Sequence, residues 1–447
     1  MNALTDSGRQ ASRFSFSGHH YDAVTGEATL SYDVDGQPLV ETITFPWAPW
    51  PADASRQAAF FQALEVLHLI AGISYYKAGL AREIDLNGCR VEEPLAGFLN
   101  ELYQQGLAEF AHVNKLDLST VIQFGANTNT APEARDLALP ERALVAMGGG
   151  KDSLVCLQLL RDAGIEVQPA CVGGAALIGD TAKAAGLPLI RVGRTLSPLL
   201  GEMNAEGAWN GHVPVTAINS AILLCAGLLY GYRYIVFANE SSANEATLTN
   251  SKGQEVNHQY SKSIAFEQAF RTIIEQRVSP AIEYFSLLRP YSEIAITRKF
   301  ADMVDYHAVF SSCNRNFHLD GSRIEGRWCQ DCPKCRFAAL ALAPFMTPAQ
   351  LLAIQGDDLL DREDQLQGFR ELCGLGEDKP FECVGSIAES RAAMKALAAL
   401  PEWQGKLVVR SLADETDIKQ AGEPELSPDP QALHCIPSAI TAKLNAV

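Results

Sequence analysis

From about residue 140 onward, short apolar runs alternate with segments of helical length, and this pattern constrains the chain more than any other. The runs at 143–147, 167–172, 189–192 and 234–238 have strand length, and 153–163, 179–186 and 215–231 read as helices between them. Strands that are apolar on both faces belong to a parallel sheet covered by helices on each side. The alternation therefore predicts an α/β nucleotide-binding layout with its site at the carboxyl ends of the strands.

The flanks obey different rules. Residues 14–17, 28–32 and 42–45 alternate apolar and polar and are separated by Thr-Gly and Asp-Gly pairs, which predicts a small antiparallel sheet. Two helical segments, 55–76 and 93–114, are expected to cap the α/β block. After about 340 the chain reads as mostly helical, and the Asp-, Glu- and Pro-rich stretch 414–432 as a solvated tail or linker. Three regions result: an N-terminal sheet and helical cap over 1–125, a catalytic α/β domain over 140–345, and a helical C-terminal region over 346–447.

Between the first apolar run and the first helix lies Gly148-Gly149-Gly150-Lys151-Asp152-Ser153. Glycines let backbone N–H groups approach an anion, and the adjoining helix contributes the positive end of its dipole. The spacing fits neither a Walker A loop nor Gly-x-Gly-x-x-Gly. It resembles the Ser-Gly-Gly-x-Asp-Ser signature of the PP-loop ATP pyrophosphatases, with Gly149, Gly150, Asp152 and Ser153 matching and Gly148 in place of the first serine. That resemblance implies an adenine nucleotide α-hydrolase-like domain that cleaves ATP between its α and β phosphates to adenylate a substrate. It also implies that adenine is held by the backbone near Val172 and Gly173.

Eleven cysteines in a long chain without a secretory leader point to metal ligation or burial rather than disulfides. Cys329, Cys332 and Cys335 stand at two-residue gaps, with Cys313 upstream. Four thiolates so spaced suit a closed structural Zn²⁺ site, and an iron–sulfur cluster is the rival. The cluster resembles the zinc site of the 7-cyano-7-deazaguanine synthases. The other cysteines are scattered and expected to be buried.

Further candidates lie in the loops that should line the site. Glu240 comes just after the run at 234–238 and suits a Mg²⁺ ligand or a base, or a solvated loop acid. His212 precedes an apolar helix, and Arg315, Arg323 and Arg327 crowd the cysteines with guanidinium groups suited to carboxylate or phosphate. His19 and His20 are adjacent on a predicted strand, so they face opposite sides and are assigned no metal.

Along its whole length, from the stretch 13–22 through 67–77 to the cysteines, the chain resembles the UDP-N-acetylmuramoyl-L-alanyl-L-glutamate epimerases. The resemblance implies ATP- and Mg²⁺-dependent inversion of the terminal L-glutamate of UDP-MurNAc-L-Ala-L-Glu, with release of AMP and pyrophosphate. Glu240 and His258 are the first acid–base candidates to test, and Lys151 is expected to neutralise phosphate charge. An adenylating amidotransferase or synthetase and a tRNA-modifying enzyme are the alternatives. A formal charge of -17 counts against a nucleic-acid surface. No apolar run reaches the roughly 18–20 residues of a bilayer span, so a cytoplasmic location is expected. Oligomeric state is not legible.

Overall fold

The computed structural model describes residues 10–446, apart from 48–49, 119–120, 245–247, 250–254, 257–258, 317–323, 377–379, 381 and 383. Its strands in chain order are β1 (Arg13–Asp22), β2 (Glu27–Val34), β3 (Gln37–Thr44), β4 (Glu83–Asp85), β5 (Arg142–Ala146) and β6 (Glu166–Val172). They continue with β7 (Ile190–Thr195), β8 (Tyr234–Phe237), β9 (Leu248–Thr249), β10 (Glu255–Val256) and β11 (Glu283–Ser286).

The four predicted strands of the α/β block appear as β5, β6, β7 and β8, with helices Lys151–Asp162, Ala176–Ala184 and Val215–Tyr230 between them. Together with β11, which pairs parallel with β8, they form the parallel block of one nine-stranded sheet, in the order β11-β8-β5-β6-β7-β3-β2-β1-β4. The predicted antiparallel strands β1 to β3 exist, but they do not make a separate sheet. β3 pairs antiparallel with β7 through Thr42–Thr195 and Thr44–Gly193, so the two parts are one continuous surface.

Alternation along the parallel strands divides the core. Leu144 of β5 and Ile235 of β8 pack with the N-terminal helices, among them Ala54–Ala71 and Glu93–Gly106. Ala143 and Val145 of β5 and Val236 of β8 face the other way, against the helices Lys151–Asp162 and Pro333–Leu342 and the C-terminal region. Each flank thus buries one face of the same sheet, which is what period-two side-chain alternation requires of strands apolar on both faces.

Two expectations need correction. The helical stretch Ala54–Gly79 is long and apolar enough to cross a bilayer, against the expectation that no such run exists, but 78% of its most apolar window is buried in the protein. It is bent into two helices at Gly72 and packs as a core element. The acidic stretch 414–432 is not a free tail. It contains the helix Thr416–Lys419 with Ile418 buried, and its Glu425 carbonyl and Asp429 N–H bond to Ser292 and Pro290.

Candidate active site

In strand order, β6 and β7 lie on one side of β5, and β8 and β11 on the other. The chain reverses direction across the sheet between β5 and β8, and ligands of open α/β sheets bind outside the carboxyl ends at such a point. The glycine loop leaves β5 there, and the Asn239–Glu240 loop leaves β8 beside it.

The loop has the backbone features that an anion site uses. Gly149 has a φ of +80°, and a Cβ at that position would lie 2.5 Å from Leu177 Cδ1, so a side chain there meets both strain and a clash. Gly150 caps the 12-residue helix Lys151–Asp162 without a side-chain hydrogen bond, which leaves the first-turn N–H groups to face the cleft. Gly148 is different, since a Cβ there meets nothing within 4 Å and a serine would fit.

Beyond the loop the cleft has two adjoining lobes that share Asp152, Ala238, Asn239 and Lys262. One is lined by Met147, Gly148, Ser153, Cys171 and Val172, with Leu223 of the helix Val215–Tyr230, and offers polar and apolar surface in equal measure. Of the two residues assigned to adenine, Val172 lines this lobe. The Gly173 N–H is spent on the Val192 carbonyl, and its own carbonyl accepts Arg191.

The other lobe is polar and brings together Lys151, Asp152, Glu240, Ser242, Glu293, Ser312 and Lys334. Lys151 is buried and pairs with Asp152 at 2.5 Å and with Glu293. Burial pulls its pKa down, but the two carboxylates outweigh burial and hold the ammonium above its ordinary range. Glu240 is buried, and desolvation with the nearby Glu389 and Asp152 pushes its pKa up to about 7, although Ser242 donates to it. Desolvation also raises Glu293, to about 8, because Lys151 only partly offsets burial and the neighbouring acids. Glu240 and Glu293 are buried together near Asp152 and Glu389, and this crowding out of water favours the protonated form of both.

Several of these residues gave no sequence signal. Glu293 starts the helix Glu293–Ala301, and its N–H donates to Glu389 Oε1 at 2.6 Å. Glu389 also closes the capping box of the helix Ile387–Ala399; the Ser-x-x-Glu spacing was readable, but its approach to Glu293 was not. Arg289 is fully buried, pairs with Glu267, and donates to the carbonyls of Glu240 at 3.0 Å and Lys262 at 2.8 Å. It therefore sets the backbone on both sides of the cleft.

The cysteine cluster adjoins this lobe. Sγ–Sγ separations are 3.7 Å for Cys329–Cys335, 3.5 Å for Cys332–Cys335 and 4.0 Å for Cys313–Cys332, and the four sulfurs all lie within 4.8 Å of one another. Ser311, two residues before Cys313, donates its N–H to the Gly149 carbonyl. Ser312 and Lys334, which neighbour cluster cysteines in the chain, line the cleft.

The remaining candidates lie elsewhere. His212 pairs with Glu109 at 3.4 Å at the approach to the helix Val215–Tyr230. Arg315 pairs with Asp331, and Arg327 with Asp180 and the Val309 carbonyl. His258 and Arg323 lie outside the described residues.

A glycine loop and a charged cleft at the switch point of the sheet form the arrangement that α/β enzymes use for small molecules. Family models described as the MurL N-terminal domain and the MurL C-terminal domain match residues 5–287 and 309–426. A protein of Xanthomonas oryzae pv. oryzae (strain MAFF 311018) is 45% identical over 98% of both chains. One of Micromonospora sp. is 39% identical over 95% of this chain and 98% of its own, and one of Salinispora tropica is 40% identical over 91% and 89%. All three are named UDP-N-acetyl-alpha-D-muramoyl-L-alanyl-L-glutamate epimerase. The chain belongs to the MurL family and is an enzyme of the epimerase type.

Proposed function

We propose that this protein inverts the terminal L-glutamate of UDP-MurNAc-L-Ala-L-Glu through an acyl-adenylate, consuming ATP and releasing AMP and pyrophosphate, in the cytoplasmic steps of peptidoglycan synthesis. The observation that carries the reading is the joining of an uncapped glycine-loop helix to a buried acid cluster around Lys151. The first is a pyrophosphate site of the PP-loop kind, and the second offers groups that exchange protons near neutral pH.

The free carboxylate of glutamate makes its α-proton hard to remove, because the carbanion would form beside an existing negative charge. Attack of that carboxylate oxygen on the α-phosphorus of ATP expels pyrophosphate and leaves a neutral acyl group. A base then takes the α-proton, a proton returns from the opposite face, and water cleaves the acyl-adenylate to AMP and the inverted carboxylate.

The N–H groups at Gly148 to Gly150 and the ammonium groups of Lys151 and Lys262 receive phosphate charge. Glu240 is the first candidate for the base, because its raised pKa lies close to working pH. The lobe beside Val172, where Met147 and Leu223 offer apolar surface among polar side chains, suits adenine. Mg²⁺ takes one or two carboxylates together with phosphate oxygens, and Asp152 is the side chain here that would hold it and so lower the pyrophosphate charge, with Glu240 as a ligand only in place of its role as base.

The cysteines fit one Zn²⁺, since a tetrahedron with Zn–S bonds near 2.3 Å has edges of about 3.8 Å. An iron–sulfur cluster places thiolates on different irons and spreads them farther. Zinc here is structural, and its four ligands fix Ser312 and Lys334 against the glycine loop.

The test is incubation with ATP, Mg²⁺ and UDP-MurNAc-L-Ala-L-Glu in heavy water, with chiral and mass analysis of the product. Deuterium at the inverted α-carbon, with one AMP formed per turnover, supports the mechanism. Inversion without AMP formation or without deuterium overturns it.

A further inference from the structure

A second group of metal-ligating side chains lies in the N-terminal region, remote in the fold from the cleft. His19 on β1, His68 on the helix Ala54–Ala71 and Cys89 in the loop after β4 bring their ligand atoms within 4.8 Å of one another. His19 Nδ1 is 3.4 Å from His68 Nδ1, and Cys89 Sγ is 3.8 Å from the same nitrogen.

A bulge creates this meeting. Phe14 and Phe16 point into the core, and strict alternation would send His20 the same way. The register of β1 against β2 shifts between Phe16 and Gly18, where Gly18 has a φ of +131°. The extra residue reverses the parity of everything after it. His19 and Tyr21 turn inward and His20 is exposed.

The tautomer of His68 is fixed. Its Nε2 lies 2.9 Å from the Ser31 carbonyl, which can only accept, so Nε2 carries the proton and Nδ1 presents a lone pair to His19 and Cys89. A backbone carbonyl holding the distal N–H is the usual outer support of a metal-bound imidazole. Without a cation, that one lone pair faces both the His19 ring nitrogen and the Cys89 thiol, and it can accept well from only one. The Cys89 backbone is also pinned, by Leu86 on its N–H and Asn127 on its carbonyl. Glu65 supplies negative charge close by but is itself held by Arg277 and the Arg90 N–H, which leaves the two imidazoles and the thiolate as ligands.

We propose that His19, His68 and Cys89 bind a divalent transition ion of the Zn²⁺ class, with water completing the coordination. With metal–nitrogen bonds of about 2.0–2.1 Å and a metal–sulfur bond near 2.3 Å, tetrahedral ligation puts the nitrogens about 3.3–3.4 Å apart and nitrogen and sulfur about 3.5–3.6 Å apart. The observed spacings are 3.4 and 3.8 Å. The ion would clamp β1 to the helix Ala54–Ala71 and to the loop before the helix Glu93–Gly106.

The experiment measures bound metal per chain in the full-length protein, stripped by chelation and reloaded with Zn²⁺ alone, for wild type and His19→Gln. His19 is only half-buried, and the fold of the variant is checked by circular dichroism. Wild type is expected to hold one equivalent more than His19→Gln, whether or not the four-cysteine cluster is loaded. Equal metal contents overturn the site. Should the variant fail to fold, anomalous scattering at the zinc edge from Zn²⁺-loaded wild-type crystals decides the matter. A peak within bonding distance of His68 Nδ1 and Cys89 Sγ supports the site, and its absence overturns it.

Discussion

The acid cleft and the four-cysteine cluster share a wall but are built on opposite electrostatic terms. In the cleft, Asp152 and Glu293 pair with the buried Lys151, and Glu240 and Glu293 are driven toward the protonated state by burial and neighbouring acids. In the cluster, four thiols close on one another at a spacing that a single cation satisfies. On the proposed reading, crowded charge in the cleft awaits a ligand, whereas a cation in the cluster would cancel it and hold the chain. The wall between them, Ser311, Ser312 and Lys334, is where the second region sets the geometry of the first.

The contrast breaks most sharply with a crossed pair of variants. Asp152→Ala is expected to lower turnover by at least about 10²–10³-fold, the scale for losing one preorganised electrostatic partner, with Tm changed by less than about 2 °C. Cys332→Ser is expected to lose bound metal, turnover and more than about 5 °C of Tm together. If Asp152→Ala melts as early as Cys332→Ser, the cleft is as structural as the cluster and the division fails.

Arg289→Ala tests whether the cleft has its own scaffold. It leaves Glu267 buried without its cation and frees the backbone of Glu240 and Lys262, so a loss of about 3–5 kcal/mol in urea unfolding is expected. Arg289→Lys should recover part of the stability but less of the turnover, because one ammonium cannot reproduce the forked contacts.

Glu240 sharpens the comparison through pH. As a base it must be ionised, so kcat/KM is expected to rise with pH through about 7 and to lose that limb in Glu240→Gln. Its folded pKa lies above the unfolded value, so the native state keeps a proton that the unfolded chain has lost. Native stability therefore falls as pH rises from about 4.5 to about 7. Glu240→Gln removes that penalty, and at pH 8 it should melt about 2–4 °C above wild type while being nearly inactive. A lower Tm at pH 8 would show that the Ser242 hydrogen bonds outweigh desolvation.

The smallest effect concerns Gly148, where the sequence departs from the serine of the PP-loop signature. A Cβ there meets nothing, so Gly148→Ser should change turnover by no more than about twofold. Gly149→Ala, which meets Leu177 at a positive φ, should cost far more.

Much of this was legible in the sequence, for a physical reason. Strands buried on both faces must be apolar runs, a loop that approaches an anion needs glycine, and a compact thiol cage needs short Cys-x-x-Cys gaps. Each is a local requirement, and each left a local mark at 143–147, 148–150 and 329–335.

What lacked a mark depends on contacts between distant segments. Glu293, Glu389 and Arg289 look like ordinary charged residues in the chain, and only folding brings Glu293 into the cleft wall, sets Glu389 against its backbone and buries Arg289 behind Glu240. The joining of β3 to β7 needs the long intervening stretch of chain to be in place. His19 is the clearest case. Its identity and its neighbour's opposite direction were fixed by local geometry, but the bulge at Gly18 decided which of the two faced His68 and Cys89. The sequence by itself determined the α/β frame, the glycine turn between its first strand and helix, and the thiol cluster, because each arises from short-range sterics and periodicity. The tertiary structure alone decided which charges share a dielectric and which lone pairs meet, because those energies depend on distances that chain order does not set.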